Sequence, residues 1–108
     1  MSAGQASVED VIKEIVRTGK VVIGFRKTSK LLKLGKLKTV IVAGGVPKRI
    51  YSEITYSAKL SETPVIIFRG GSVDLGSLIG RPFPVSSIGV LDPGVVSLEK
   101  IREISEKV

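Results

Sequence analysis

Three short apolar runs, each followed by a glycine turn, constrain the fold of this chain more than any other sequence feature. The runs are Lys20–Ile23, Thr39–Ala43 and residues 64–68, and the glycines that follow them are Gly24, Gly44 and Gly70. The second run is apolar without alternation from Val40 onward, which is typical of a strand buried in a parallel sheet. Because helical patterns separate the runs, the sequence predicts that strands and helices alternate.

Helical periods and their end signals define the other elements. The first predicted helix is capped by Ser7 and stopped by Thr18-Gly19, and a basic helix lies between Gly24 and Gly35. The third predicted helix begins after Pro47 and runs to about Leu60. A short fourth helix is capped by Ser72 and ended by Gly80, and the last helix runs from its Ser97 cap through Lys107. A fourth strand is predicted over residues 85–91, before the turn Asp92-Pro93-Gly94.

This order of elements predicts an α/β fold, a three-layer α-β-α sandwich with a central four-stranded mixed sheet. The inward-facing residues are predicted to be Ile50, Ile54, Ser57 and Ala58 in the third helix, and Leu98, Ile101 and Ile104 in the last. The 108 residues are expected to form a single domain, with a flexible N-terminus over about residues 1–6.

Missing residue types exclude several kinds of chemistry. The chain has no His and no Cys, so zinc sites, thiol nucleophiles, disulfides and histidine catalysis are excluded. Asp74 and Asp92 look like cap and turn residues, and no nucleophile–base arrangement is evident. We therefore predict a protein that is not an enzyme and needs no metal or other cofactor. Its apolar runs are too short to span a membrane, and we expect a soluble cytoplasmic protein.

Positive charge is concentrated in one stretch of the chain. Eight Lys or Arg and no acid occur from Arg17 to Lys38, whereas the other nine basic residues are balanced by all ten acidic ones. On a helical wheel the predicted inner side holds Phe25, Thr28, Leu31, Leu32 and Gly35, and the outer side holds Arg26, Lys27, Lys30 and Lys33. A charge run is often only a solvated face, but uncompensated charge of this density favours a polyanionic partner.

The loops that start near Gly24, Gly44 and Gly70 are expected to form the binding site, because sites in open α/β sheets lie at the carboxyl ends of strands. The connection over residues 80–84 joins them if its strand starts nearby. Phe83, between two prolines, is a candidate to stack on an unpaired base or, alternatively, to cover an edge of the core. No complete nucleotide-binding loop occurs, and Gly70-Gly71-Ser72 before a helix is more often an ordinary turn than a phosphate site.

Four segments together resemble a known family. They are residues 22–28 (VIGFRKT), 52–61 (SEITYSAKLS), 71–76 (GSVDLG) and 80–83 (GRPF). Their order resembles that of the archaeal and eukaryotic e-type large-subunit ribosomal protein thirty, within the seven-Ae superfamily of kink-turn RNA-binding proteins. The resemblance covers roughly residues 8–94. It implies an α-β-α sandwich that binds ribosomal RNA at a kink-turn, a sharply bent internal loop that splays a base outward.

The resemblance also assigns RNA-contacting positions. Gly24 and Arg26 match contacts of the first strand–helix turn, and Phe83 matches an aromatic that packs on RNA in some members. The predicted RNA-binding residues are Gly24, Phe25, Arg26, Lys27, Thr28, Lys30, Lys33, Gly44, Gly45, Lys48, Arg49, Arg81 and Phe83. One departure is evident, because Gly44-Gly45 stands where the family often carries an Asn that reads a guanine. Recognition of the guanine at this loop is then lost, or it is made by backbone groups or by Lys48 and Arg49.

Three readings remain open alongside a structural protein of the large ribosomal subunit. One is a general kink-turn protein of RNA-modification particles, whose members usually carry Asn-Glu where this chain has Arg26-Lys27. The others are an RNA-recruiting subunit of an RNA-modifying enzyme and a protein-interaction domain. The expected partners of the leading reading are ribosomal RNA and neighbouring ribosomal proteins, with no membrane and no small-molecule substrate, and we expect a monomer off the ribosome. The chain has no Asn, one Gln and one Met, and this scarcity of heat-labile side chains suits a thermophile, while the resemblance implies an archaeal source.

Overall fold

A computed structural model describes residues 3–105 of the chain. Helices and strands alternate throughout these residues, as the sequence predicts. The elements are α1 (Ala3–Thr18), β1 (Lys20–Ile23), α2 (Phe25–Lys33), β2 (Thr39–Ala43), α3 (Lys48–Leu60), β3 (Val65–Phe68), α4 (Ser72–Leu78), β4 (Ser87–Asp92) and α5 (Leu98–Ile104). No helix within residues 3–105 is long and apolar enough to cross a lipid bilayer.

The four strands form one mixed sheet in the order β1-β4-β2-β3. β2 and β3 are parallel, with Val42 opposite Ile67, whereas β4 is antiparallel to both of its neighbours. At the start of β4, Ile88 lies opposite Ile23 of β1 and Ser87 lies opposite Val42 of β2. β1, β2 and β3 therefore all point in one direction, and their carboxyl ends lie at the same edge of the sheet.

Two hydrophobic clusters cover the two faces of the sheet. Alternate residues of β2 divide between them, because successive side chains of a strand point to opposite faces. Val40 and Val42 pack with Leu32 of α2 and with α3. Ile41 and Ala43 pack on the other face, in a cluster that includes Ile12 and Ile15 of α1, Leu75 of α4 and Ile101 of α5. The predicted three-layer α-β-α sandwich is thus confirmed.

Several predicted helix ends differ from the observed ones. α1 begins at Ala3, so Ser7 lies inside the helix and is not its cap, and residues 3–6 of the predicted N-terminal segment are helical. The N-cap of α4 is Gly71, not Ser72, because the Asp74 carboxylate accepts the Gly71 N–H at 3.3 Å. Ser97 does cap α5, with its hydroxyl accepting the Lys100 N–H at 3.1 Å.

Two predicted boundaries and one predicted core position also differ. β4 begins at Ser87 rather than Val85, because the Val85 N–H is taken by the Ser72 carbonyl at 2.9 Å instead of a neighbouring strand. α5 ends at Ile104, and Lys107 lies outside the described residues. Leu98, predicted to face inward, is exposed at the first position of α5, whereas Ile101 is fully buried.

Candidate nucleic-acid interface

The carboxyl ends of the three parallel strands meet, as predicted, and the chain that enters β4 joins them. The Gly24 N–H donates to the Ser87 carbonyl at 2.9 Å, and the Ala43 N–H donates to the Ser86 carbonyl at 3.0 Å. These bonds belong to Ser86 and Ser87, whereas the N–H groups of residues 80 and 81, in the predicted connection, bond carbonyls of α4. We call Gly24, the loops at Gly44-Gly45 and Gly70-Gly71, and residues 81–86 the strand-end edge.

Gly24 sets the turn from β1 into the basic helix. Its φ of 109° and ψ of 154° lie in a region that is essentially restricted to glycine. Its carbonyl accepts the Thr28 N–H at 3.1 Å, so the same residue closes the first turn of α2. The N-terminus of α2, where peptide dipoles favour anions, is thereby placed at the strand-end edge.

The far end of α2 is fixed by a glycine cap. Gly35 has a φ of 71°, its N–H donates to the Leu32 carbonyl at 3.0 Å, and the Lys36 N–H reaches back to the Leu31 carbonyl at 3.0 Å. This arrangement of two bonds is the Schellman motif. The basic helix therefore has the two ends that the glycines in the sequence predict.

The outer surface of α2 presents Arg26, Lys27 and Lys30 to solvent. None of the three forms an ion pair with another residue in the part of the chain that the structure describes. Phe25 is partly buried and packs against the cluster under α2 and α3. Lys48 and Arg49 are exposed at the start of α3, which leaves the strand-end edge after β2.

Lys33 differs from the other cations of α2 because it has a partner. Its Nζ lies 3.3 Å from Oε2 of Glu53 on α3, and the same oxygen accepts the Ser29 hydroxyl at 3.0 Å. The hydrogen bond from Ser29 and, to a smaller extent, that from Lys33 lower the pKa of Glu53 below its ordinary value. Neither Ser29 nor Glu53 is among the predicted RNA-binding residues, because the hydrogen bond between α2 and α3 is not visible in the pattern of either helix.

The loops at Gly44-Gly45 and Gly70-Gly71 pack backbone against backbone. The Gly44 N–H donates to the Phe68 carbonyl at 2.8 Å, and the Gly45 N–H donates to the Gly70 carbonyl at 3.3 Å. A Cβ added to Gly45 would lie 3.2 Å from the Cα of Gly71. The position that often carries an Asn in the family thus has neither a side chain nor a free amide here, and the Gly71 N–H is bonded to Asp74 instead of being open to a phosphate.

Phe83 stands half exposed on a segment that is anchored to α4. The Arg81 N–H donates to the Gly76 carbonyl at 2.8 Å, and the Phe83 carbonyl packs directly on the Cα of Gly76. The ring borders a cleft of about 190 Å³ whose lining also includes Val73, Ser77 and Arg81. Val73 is 64% exposed beside it. Val73 and Ser77 also line this cleft, and nothing in the sequence marked them as residues of the site.

Thr28, a predicted RNA-binding residue, is fully buried, so its side chain is not at the surface. Its hydroxyl has no hydrogen-bond partner among the described residues, and the same is true of the buried Ser87 hydroxyl at the start of β4. A buried hydroxyl that has lost water without gaining a partner destabilises the fold. Thr28 is therefore connected to the Gly24 turn through its N–H, which donates to the Gly24 carbonyl, and its side chain is buried.

We expect Thr28→Val to raise the free energy of unfolding by about 1 kcal/mol, because it removes an unsatisfied buried hydroxyl while keeping the shape of the side chain. Thr39→Val is the matched control, since the fully buried Thr39 hydroxyl donates to the Pro64 carbonyl at 2.8 Å. This control is expected to lower the free energy of unfolding by about 1 kcal/mol. Denaturant unfolding of both variants measures the difference, and equal destabilisation would contradict the expectation for Thr28.

Comparison with known proteins shows the family to which this chain belongs. The family model described as the Ribosomal protein L7Ae/L30e/S12e/Gadd45 family matches residues 6–98, and the chain belongs to this family. It is similar to the large ribosomal subunit protein eL30 of Sulfurisphaera tokodaii, with 45% identity over 96 residues that cover 88% of this chain and 91% of that protein. Its identity to the protein of the same name in Methanopyrus kandleri is 49% over 87 residues, covering 81% and 80% of the two chains. The sequence-based resemblance is thus confirmed.

Proposed function

We propose that this protein is a structural constituent of the large ribosomal subunit that binds ribosomal RNA at a kink-turn through the strand-end edge and α2. It works on the cytoplasmic ribosome, beside neighbouring ribosomal proteins, and catalyses no reaction. The observation that carries the proposal is its extensive similarity to archaeal relatives named as large ribosomal subunit proteins. Those names favour the ribosome over RNA-modification particles and over an RNA-modifying enzyme.

Charge placement supports RNA as the ligand of α2. Residues 25–62 contain nine basic and two acidic residues, whereas the rest of the chain has eight of each. All of the net charge of +7 therefore lies on the segment of α2, β2 and α3. In the proposed complex Arg26, Lys27 and Lys30 neutralise phosphates and release their counterions. Lys48 and Arg49 extend this positive surface beside the Gly44-Gly45 loop.

The position of Phe83 supports a bent RNA over a straight one. α2 covers one face of the sheet, and α4, on which the Phe83 segment is anchored, covers the other. An RNA that contacts both has to pass around the strand-end edge. In our proposal the phosphates lie along α2 while a splayed base enters the cleft between Phe83 and Val73, where its face stacks on the exposed ring. Gly24, Gly44 and Gly45 let the RNA approach the backbone between these two contacts.

The proposal is tested by the salt dependence of RNA binding. Lys30→Ala is expected to reduce the magnitude of the slope of log affinity against log salt by about 0.7 to 0.9, because one phosphate contact is lost. The loss should affect kinked and fully paired RNA alike, since a phosphate contact carries no sequence information. Binding titrations on both RNAs at several salt concentrations measure this slope.

Lys100→Ala provides the control, because Lys100 is exposed in α5, which follows the end of β4 at the sheet edge opposite the strand-end edge. It changes the net charge by the same amount and is expected to leave the slope at its wild-type value. If Lys30→Ala also leaves the slope unchanged, the face of α2 is only solvated. If the wild-type protein binds kinked RNA no more tightly than paired RNA, the kink-turn assignment fails.

A further inference from the structure

We propose that Glu53 is a positioning residue that holds Lys33 away from RNA and so confines phosphate contacts to the part of α2 next to the strand-end edge. This inference rests on the proposed RNA-binding function and deepens it. Glu53 is one of only two acidic residues between positions 25 and 62, so it stands within the most positive segment of the chain. Its carboxylate faces α2 across the surface between α2 and α3.

The Glu53 carboxylate is fixed by more than an exposed ion pair. A surface pair alone is a weak restraint on two flexible side chains. Here the Ser29 hydroxyl, on a residue that is only 6% exposed, donates to the same oxygen that contacts Lys33. The guanidinium of Arg49 adds a further attraction to Glu53. The carboxylate is therefore held at one place beside Lys33, and these contacts lower its pKa.

Lys33 also lies far from the strand-end edge. It is about two helical turns beyond Arg26, which corresponds to roughly 10 Å along the axis of α2. A phosphate that reached Lys33 would come close to the Glu53 carboxylate, and placing two like charges together opposes binding. Among the described residues, Arg26, Lys27 and Lys30 thus have no acidic partner, whereas the charge of Lys33 is already compensated by Glu53.

This arrangement discriminates between RNA shapes. A bent RNA anchored at the strand-end edge uses the first two turns of α2 and does not require Lys33. A straight duplex has no anchor at that edge and gains affinity from every additional cation along the helix, because its binding is electrostatic. A repulsive group at the far end of α2 therefore weakens the unwanted ligand more than the intended one, which raises specificity.

The decisive variant is Glu53→Gln, whose side-chain oxygen can still accept the Ser29 hydroxyl. On straight duplex RNA we expect the salt slope to steepen by about 0.7 to 0.9 and the affinity at 0.1 M salt to rise roughly five- to eightfold, as one added phosphate contact predicts. On kinked RNA we expect the wild-type slope. The double variant Glu53→Gln with Lys33→Gln should return the duplex slope to that of the wild type.

Glu62→Gln is the matched control, because Glu62 is the other acidic residue of the segment and its substitution raises the net charge equally, while among the described residues Lys33 pairs with Glu53 and not with Glu62. A slope that steepens as much in Glu62→Gln as in Glu53→Gln would overturn the inference in favour of a general charge effect. An unchanged duplex slope in a folded Glu53→Gln protein would overturn it as well, while leaving the proposed function intact. Equal wild-type affinity for kinked and straight RNA would refute both.

A second pair of variants tests the inference without altering Glu53. Lys33→Gln is expected to leave the salt slope unchanged on both RNAs, because Lys33 makes no phosphate contact in the wild type. Lys30→Gln on the same face is expected to flatten both slopes by about 0.7 to 0.9. If the two substitutions flatten the slope equally, Lys33 is an ordinary phosphate ligand and Glu53 does not restrain it.

Discussion

Phe83→Ala is expected to weaken binding to kinked RNA by about 1–3 kcal/mol, which is the contribution of one base stacked on an aromatic ring. The ring is 50% exposed and borders the cleft next to Val73, so an unpaired base has both a face to stack on and a place to enter. The side chain carries no charge, so the salt slope should stay at its wild-type value. Titration of kinked and fully paired RNA at several salt concentrations measures both quantities.

Phe83→Leu separates stacking from simple coverage of the core edge. Leucine keeps an apolar side chain over α4 but has no aromatic face, so it is expected to lose most of the binding that Phe83→Ala loses while unfolding at nearly the wild-type temperature. If both variants bind kinked RNA like the wild type, Phe83 covers the core edge and does not contact RNA. If the loss on fully paired RNA equals that on kinked RNA, the ring does not recognise a splayed base.

Gly76→Ala is expected to lower the free energy of unfolding by about 1–3 kcal/mol, the usual cost of overpacking a buried site. A Cβ at this position would overlap the carbonyl group of Phe83, with the oxygen at 2.1 Å and the carbon at 3.2 Å. Both atoms belong to the backbone, so no side-chain rotation relieves the overlap. Either α4 or the segment at Phe83 has to move, and we expect the preference for kinked RNA to fall along with stability.

Gly71→Ala is the control for this substitution. Gly71 lies at the other end of the same short helix, its φ of −80° suits any residue, and an added Cβ would meet only an oxygen of Asp74 at 3.9 Å. This variant should retain nearly wild-type stability. Thermal unfolding compares the stability of the two variants, and RNA titration of Gly76→Ala measures its preference for kinked RNA. Wild-type behaviour of Gly76→Ala would mean that the Phe83 segment adjusts to the methyl group at little cost and is not held rigidly by α4.

The fold was predictable because its signals are local. The apolar runs at β1 and β2 predict those strands with the observed bounds, and Gly35 correctly ends the basic helix. Errors arose where a residue distant in sequence decides the outcome. β4 begins at Ser87 and not at Val85, because the Ser72 carbonyl accepts the Val85 N–H. The exposure of a residue at the start of α5 depends on how α1 packs against that helix. The helical pattern that predicted Leu98 to face inward contains no information about this packing.

The candidate site was predictable only in part for the same reason. The exposure of Arg26, Lys27 and Lys30 follows from the period of one helix, and the structure agrees with it. The burial of Ser29 against Glu53, and the cleft that Val73 shares with Phe83, depend on how two elements pack. Thr28 shows the limit clearly, because a motif match marks the position as important without telling whether its side chain faces RNA or the core.

The strand order also has a consequence for the synthesis of this protein. β1 lies at the edge of the sheet and pairs only with β4, so Ile23 has no sheet partner until Ile88 has been made. Contacts between such distant residues slow folding, because a long loop must close before they form. A nascent chain thus exposes the basic segment of α2 well before the strand-end edge exists. In our proposal, shape-selective RNA binding therefore begins only when the fourth strand enters the sheet, and until then charge alone attracts RNA to the emerging chain.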